Sequence, residues 1–127
     1  MTEQERPSFI AQEINNLIIV RMGGVINAET FPESQFLIDE LIEKHEIYKR
    51  QNLRILVDYQ NVTDVDTSTV ANILDRINEH EKHNHIIAFV NVPEELKSLV
   101  EIYKLEKEVL IFESEEEAVK ALTQNSQ

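Results

Sequence analysis

The stretch that decides the fold is LRILVDYQNVTDVDTSTVANILDRI, residues 53–77. Leu53 to Asp58 is apolar on both faces, which predicts a central strand of a sheet that is covered on both sides. A loop, Gln60 to Val65, is predicted next. The helix after it opens on Asp66-Thr67-Ser68-Thr69, which places hydroxyls beside a carboxylate at a helix N-terminus. An i, i+3, i+4, i+7 apolar pattern indicates that this helix packs on the sheet, at Val70, Ile73, Leu74 and Ile77.

Apolar segments on either side extend this strand and helix into an α/β fold. The further strands are predicted at Phe9 to Ile14, Leu17 to Met22, Ile86 to Val90 and Val109 to Phe112. Asn15-Asn16 suits a hairpin turn, and Gly23-Gly24 is predicted to end the second strand. Capping boxes at Thr30 to Glu33 and Ser114 to Glu117 indicate helix starts. The order β-β-α-β-α-β-α-β-α predicts a mixed sheet of about five strands with four helices, mostly parallel and with one antiparallel edge.

Length and charge limit the function classes. The chain has 127 residues and a net charge of −12, and we expect one domain over residues 8–122 with flexible tails at residues 1–7 and 123–127. The charge argues against binding to nucleic acid. No apolar run reaches the roughly 18–20 residues that span a bilayer, so membrane insertion is not expected. The polar start of the chain and the absence of cysteine fit a cytoplasmic protein.

Short motifs in the predicted order resemble the STAS family, the fold of bacterial anti-sigma-factor antagonists and of sulfate-transporter tails. Family members carry a strand that ends in Asp-Leu-Ser-Gly-Val and a helix that opens on Asp-Ser-Ser-Gly. The matching runs here are Asp58-Tyr59-Gln60-Asn61-Val62 and Asp66-Thr67-Ser68-Thr69. Weaker similarities are Gly24-Val25-Ile26-Asn27, Val92-Pro93-Glu94-Glu95-Leu96 and Leu110-Ile111-Phe112-Glu113-Ser114.

The resemblance implies a regulatory protein that is not an enzyme and has no cofactor. In the signalling branch of the family, a kinase that is also an anti-sigma factor phosphorylates the hydroxyl after the aspartate. That residue is Thr67 here, and Ser68 is the less favoured acceptor. Two positions depart from the family: Thr69 replaces a glycine, and Asn27 replaces an aspartate. The side chain of Thr69 would crowd a partner that docks close to the backbone.

The leading hypothesis is therefore a partner-switching protein of bacterial signal transduction and transcription regulation. Its partner would be a cognate serine/threonine switch kinase or anti-sigma factor, and a homodimer is left open. The residues predicted to bind the partner are Asp58, Asp64, Asp66, Thr67, Ser68 and Thr69. The alternative is a STAS scaffold that is not phosphorylated, or an accessory subunit of a transporter or lipid-transport complex. A third hypothesis is a module that binds a small ligand.

Other chemistries have weaker signals. Asp58, Asp64 and Asp66 could serve as the phospho-acceptor site of a receiver domain, but the acidic pair that such a site needs after its first strand is missing. A zinc site at His80, His83 and His85 would need side chains that converge across a turn. The sequence has no nucleophile elbow, no phosphate-binding glycine loop and no HExxH motif, so we predict neither catalysis nor a metal site.

Overall fold

A five-stranded mixed sheet forms the centre of the computed structural model, which describes Thr2, residues 5–66 and residues 70–124, apart from the side chains of Val70, Ala71 and Ile73. The strand order is β1-β2-β3-β4-β5. β1 pairs with β2 antiparallel and the other neighbours pair in parallel, which confirms the mixed sheet. The strands are β1 Ser8–Ile14, β2 Leu17–Ile26, β3 Arg54–Val65, β4 Ile86–Val90 and β5 Val109–Phe112.

The helices cover both faces of the sheet. They are α1 Phe31–Lys44, α2 Val70–Lys82, α3 Glu94–Ile102 and α4 Glu115–Gln124, and a short 3-10 helix, Ile47–Lys49, follows α1. Each parallel crossover steps one strand further in the same direction, so right-handed connections put α1, α2 and α3 on one face. α4 follows β5 and packs on the other face, where Ala118 and Leu122 contact Leu17 and Leu56.

Two predicted strand ends are wrong. β2 continues through Gly23-Gly24, and β3 continues through the predicted loop from Gln60 to Val65. The reason is that these two segments pair with each other, as at Gly24 and Val62, so each satisfies backbone groups of the other. Shifts in register on both sides of the glycines accommodate the irregular pairing.

The paired segments form a two-stranded ribbon, residues 23–26 of β2 and residues 61–65 of β3. The pairing of β3 with β4 ends at Asp58 and Val90, so the ribbon extends past β4 at the carboxyl ends of the parallel strands. Val62 and Val65 pack against the core beneath α2 and α3, whereas Thr63 is exposed. The ribbon is thus anchored by its apolar side chains.

Turn and cap chemistry agrees with the predictions only in part. Asn15 has a φ of 57° in the hairpin, as such a turn needs, and the amide of Glu117 donates to Ser114 Oγ over 3.2 Å at the start of α4. The capping box predicted at Thr30 is wrong. Thr30 Oγ1 donates to the carbonyl of Val25, and the carboxylate of Glu33 accepts from Arg6 instead.

The two glycines of the ribbon predict different costs of substitution. Gly24 has a φ of +84°, and an added Cβ would lie 2.1 Å from the carbonyl oxygen of Arg6. At Gly23 the nearest atom would be the hydroxyl of Ser8, a side chain that can rotate. We expect Gly24→Ala to lower the free energy of unfolding by about 2 kcal/mol or more, measured by urea denaturation, and Gly23→Ala to cost less. Equal losses in the two variants would contradict this account of the ribbon.

Candidate functional site

The predicted partner-binding residues follow the course of β3 toward the carboxyl edge of the sheet. Asp58 lies at the base of the ribbon and is buried, while Asp64 lies on the ribbon and is exposed. Asp66 follows β3 and is half-buried, and its amide donates to the carbonyl of Ile26 over 3.0 Å. The ribbon therefore holds the backbone at Asp66 against the end of β2.

The remaining predicted site residues, Thr67, Ser68 and Thr69, lie outside the described residues. The phosphorylation of Thr67 or Ser68 and the crowding at Thr69 therefore stay predictions. We call Asp66 together with these three residues the corner; α2 is described from Val70 onward.

The carboxylate of Asp58 is the centre of a polar network that ties four segments together. Oδ2 accepts a hydrogen bond from Arg21 Nη1 over 2.8 Å. Oδ1 accepts from the amide of Gln60 and from Asn91 Nδ2, both over 2.9 Å. Arg21 also makes two bonds to the carboxylate of Glu115 in the first turn of α4. The network joins β2, β3, the turn after β4 and α4 directly beneath the ribbon.

The charges of the network stabilise each other. Burial alone would raise the pKa of Asp58, but the hydrogen bonds from Asn91, Gln60 and Arg21 outweigh it and hold the pKa below its ordinary value. The hydrogen bond to Glu115, followed by the bond to Asp58, raises the pKa of Arg21 above its ordinary value. Both groups are therefore ionised at neutral pH and form an ion pair.

Three residues of the network were not among the site residues predicted from the sequence: Arg21, Asn91 and Glu115. A signal for Arg21 was present, because it continues the alternation of Leu17 and Ile19, which face the core beneath α4. A charged residue at such a position needs a partner of opposite charge. Asn91 gave no such signal; it has a φ of 56°, the left-handed conformation that asparagine tolerates, as it turns toward Asp58.

Asn27, which departs from the family aspartate, closes the turn between the ribbon and α1. Its side-chain Oδ1 accepts a hydrogen bond from the backbone amide of Thr30 over 2.9 Å, and its backbone amide donates to Thr30 Oγ1 over 3.1 Å. A carboxylate oxygen could accept the same bond from Thr30. The replacement of aspartate by asparagine therefore keeps the acceptor that shapes this turn.

Two of the three histidines considered for a zinc site, His80 and His85, use their ring nitrogens in hydrogen bonds. His85 Nε2 lies 2.7 Å from the carbonyl oxygen of Arg50, and its Nδ1 lies 2.9 Å from Nδ1 of His80. Since a carbonyl only accepts, His85 donates through Nε2 and accepts a hydrogen bond from His80 through Nδ1. The described residues contain no group of three His, Cys, Asp or Glu side chains that could hold a metal ion. These histidines are part of the structural packing around Tyr48.

Within the described part of the chain, no helix combines the length and the apolar character that crossing a bilayer needs.

The fold and the site define an α/β protein with a sequentially ordered mixed sheet and a polar corner between its third strand and second helix. The chain belongs to the STAS domain family, whose model matches residues 8–118. STAS domains of this kind are typically regulatory rather than enzymatic. No curated protein matches the sequence significantly.

Solved structures share the fold at low sequence identity. An anti-sigma factor antagonist from Mycobacterium paratuberculosis has a TM-score of 0.71 and 11% identity, and the match covers 97% of this chain and 99% of that one. The Bacillus cell fate determinant SpoIIAA in its phosphorylated form has a TM-score of 0.65 and 16% identity, over 91% and 99% of the two chains. An uncharacterised protein from Shewanella loihica with a SpoIIAA-like fold has a TM-score of 0.62 and 13% identity, over 96% and 98%.

The network predicts that Asp58 matters more for stability than Glu115. Asp58→Ala leaves the Asn91 amide and the Gln60 amide without their acceptor and removes one of the two carboxylates that pair with Arg21, so we expect a loss of about 2–4 kcal/mol in the free energy of unfolding. Glu115→Ala removes a carboxylate whose side chain is 39% exposed, and we expect at most about 1 kcal/mol. Urea denaturation at neutral pH measures both, and a larger loss for Glu115→Ala would contradict the central place of Asp58.

The histidine pair predicts a loss of stability in acid. Burial lowers the pKa of His80 to about 3 and also lowers the pKa of His85. As the pH falls from the ordinary value of 6.5 toward about 3, the unfolded chain binds protons that the folded chain does not bind. The free energy of unfolding then decreases, by up to about 1.4 kcal/mol per pH unit for each histidine.

Urea midpoints at about pH 7.5 and about pH 5.5 test this effect. We expect the decrease between them to be smaller in His80→Gln than in the unaltered protein. His45→Gln changes a histidine outside the cluster, which pairs with Glu13, and serves as the control. An unchanged pH dependence in His80→Gln would show that the buried pair is not its source.

Proposed function

We propose that this protein is a bacterial regulator of the anti-sigma-factor-antagonist type, with residues 8–122 as a single domain in the cytoplasm. Its partner is a cognate serine/threonine switch kinase or anti-sigma factor, which binds the corner and the adjoining ribbon. The observation that carries the proposal is the position of Asp66. The amide of Asp66 is bonded to Ile26 at the end of a ribbon that extends past the neighbouring strand, which favours presentation of the next residues to a partner.

The exposed side of the ribbon supports binding to a protein surface. Asn61, Thr63 and Asp64 of the ribbon are exposed and polar, as is Gln60 directly before it, while Val62 and Val65 pack inward. The chain also has a net charge of −12. A partner with a basic surface would be attracted at long range by this charge. It would then meet hydrogen-bonding groups on the ribbon, which the inward-packed valines hold in place.

Phosphorylation of Thr67 would switch this binding through charge. A phosphate adds roughly −1.5 to −2 charges at neutral pH. Thr67 directly follows Asp66 in the sequence and lies three residues from Asp64, so the added charge would join two carboxylates. A partner that covers the corner would have to bury this charge, and its affinity would fall. Ser68 is the second candidate for the same modification.

Asp58 has a supporting role in this proposal. Its carboxylate is buried and occupied by Arg21, Gln60 and Asn91. It would therefore position the base of the ribbon without contacting the partner. Asp64 and Asp66, together with the three residues of the corner that follow Asp66, would supply the contact.

The first test is phosphorylation by a cognate serine/threonine switch kinase, sought among the genes beside the one that encodes this protein. We expect incubation with ATP and that kinase, followed by mass spectrometry, to place the phosphate on Thr67. Thr67→Glu should weaken binding of the unmodified partner by about tenfold or more, since a like charge or an unpaired buried charge costs at least 1.4 kcal/mol. Ser98→Glu adds the same charge at an exposed position of α3 and should leave binding unchanged.

Two outcomes would overturn the proposal. One is a protein in which Thr67 and Ser68 stay unmodified while Thr67→Glu binds the partner normally. The other is stable co-purification with a transporter assembly that phosphatase treatment does not change, which would establish the accessory-subunit alternative.

A further inference from the structure

A cavity of about 160 Å³ lies between α1, α2 and the sheet. Its walls come from both helices and from the sheet face beneath them, and they are predominantly apolar. They include Ile38 of α1, Ile77 of α2, Val57 of β3 and Phe89 of β4. An engineered cavity of about 150 Å³ with similar walls binds benzene, so this volume is sufficient for a small organic molecule.

One polar group in the wall has no hydrogen-bond partner within the described part of the chain. Ser34 lies in α1, is only 3% exposed and lines the cavity. Among the described residues, no hydrogen-bonding group pairs with its Oγ. A buried hydroxyl without a partner costs about 1–3 kcal/mol, so its position in a cavity wall calls for an explanation. A water molecule explains it poorly, because water needs about two to four polar partners and the cavity lining as a whole is predominantly apolar.

The charges around the cavity limit the class of ligand. Among the described lining residues, the only permanently charged group is the guanidinium of Arg76, and it pairs with Asp39 over 3.2 Å. His80 also lines the cavity, and burial lowers its pKa to about 3, so it is neutral at physiological pH. The cavity therefore has no unpaired charge to hold an ion, and a charged ligand would lose its hydration without compensation.

A ligand would enter the cavity between the two helices. Gln35 of α1 and Asn72 of α2 line the cavity and are partly exposed. The ion pair between Arg76 and Asp39 joins the same helices, and Asp39 is on the exposed side, with 58% of its side chain accessible. Exposed ion pairs contribute little to stability, so this contact can open to admit a ligand.

We propose that this cavity is a binding site for a small, uncharged, mostly apolar molecule with a single hydroxyl or carbonyl group. Ser34 forms the hydrogen bond to that group, and the aliphatic and aromatic walls bury the rest of the molecule. By comparison with the benzene-binding cavity, the ligand has roughly six to eight non-hydrogen atoms. Ile26 and Val65 of the ribbon line the cavity from above, so the cavity lies beneath the ribbon and not on its exposed surface. The proposal does not rest on the proposed regulatory function.

Three matched probes test the proposal: benzyl alcohol, toluene and benzoate. We expect benzyl alcohol to shift the backbone amide resonances of α1, α2 and β3 around the cavity in a saturable way, as measured by ¹⁵N–¹H NMR titration of the whole chain. Toluene, which lacks the hydroxyl, should bind the same residues more weakly. Benzoate, which is charged, should not bind.

Variants separate the hydrogen bond from the cavity. Ser34→Ala should weaken the binding of benzyl alcohol by about fivefold, which corresponds to the loss of one neutral hydrogen bond. The affinity for toluene should stay unchanged. Ser98→Ala removes the hydroxyl of an exposed serine of α3 and should change the affinity for neither probe. Val57→Phe should fill part of the cavity and weaken both probes.

Two results would overturn the proposal. Amides around the cavity that do not respond to benzyl alcohol or toluene would show that the space binds no ligand of this class. Equal affinity of the unaltered protein and Ser34→Ala for benzyl alcohol would remove Ser34 from the site. Neither result depends on phosphorylation or on a partner protein, so failure here is distinguishable from failure of the proposed function.

Discussion

The buried carboxylate of Asp58 is the group that holds the sheet together at the carboxyl ends of its parallel strands. It accepts hydrogen bonds from Arg21, Gln60 and Asn91, which belong to β2, β3 and the turn after β4. These segments are distant in sequence, and each carries a polar group that would be costly to bury alone. Arg21 extends the contact to Glu115 at the start of α4. A single ionised group therefore fixes the relative positions of three strands and one helix at the edge where the site lies.

The ribbon rises from the strands that the Asp58 network joins. β4 ends opposite Asp58, whereas β2 and β3 continue as a pair to Ile26 and Val65. Gly24 allows the irregular backbone, and a close approach of Arg6 leaves no room for a side chain there. The polar residues of β3 are thereby raised above the sheet. The proposed partner would contact this surface next to the start of α2, and the proposed switch needs only a change of charge beside it.

Local patterns in the sequence predicted most of the fold. The bounds of β4 and β5 were correct, because each is a short run of apolar residues with a polar residue directly before and after it. The ribbon was missed because residues 60–65 are mostly polar and are strands only through pairing with distant residues. The network was missed for a similar reason: Arg21 and Asp58 are 37 positions apart, and no local pattern joins them. The chemistry of Asp66 and Thr67 came from the motif itself, but the support beneath it required the three-dimensional structure.

Hydrogen–deuterium exchange of the chain alone and in complex with the proposed anti-sigma-factor partner tests most directly whether the partner binds the ribbon and the corner. The account predicts slower exchange in the complex at residues 60–66 and at the start of α2, with no change in β5 and α4. Slower exchange confined to β5 and α4, or to the outer edge of β1, would contradict it.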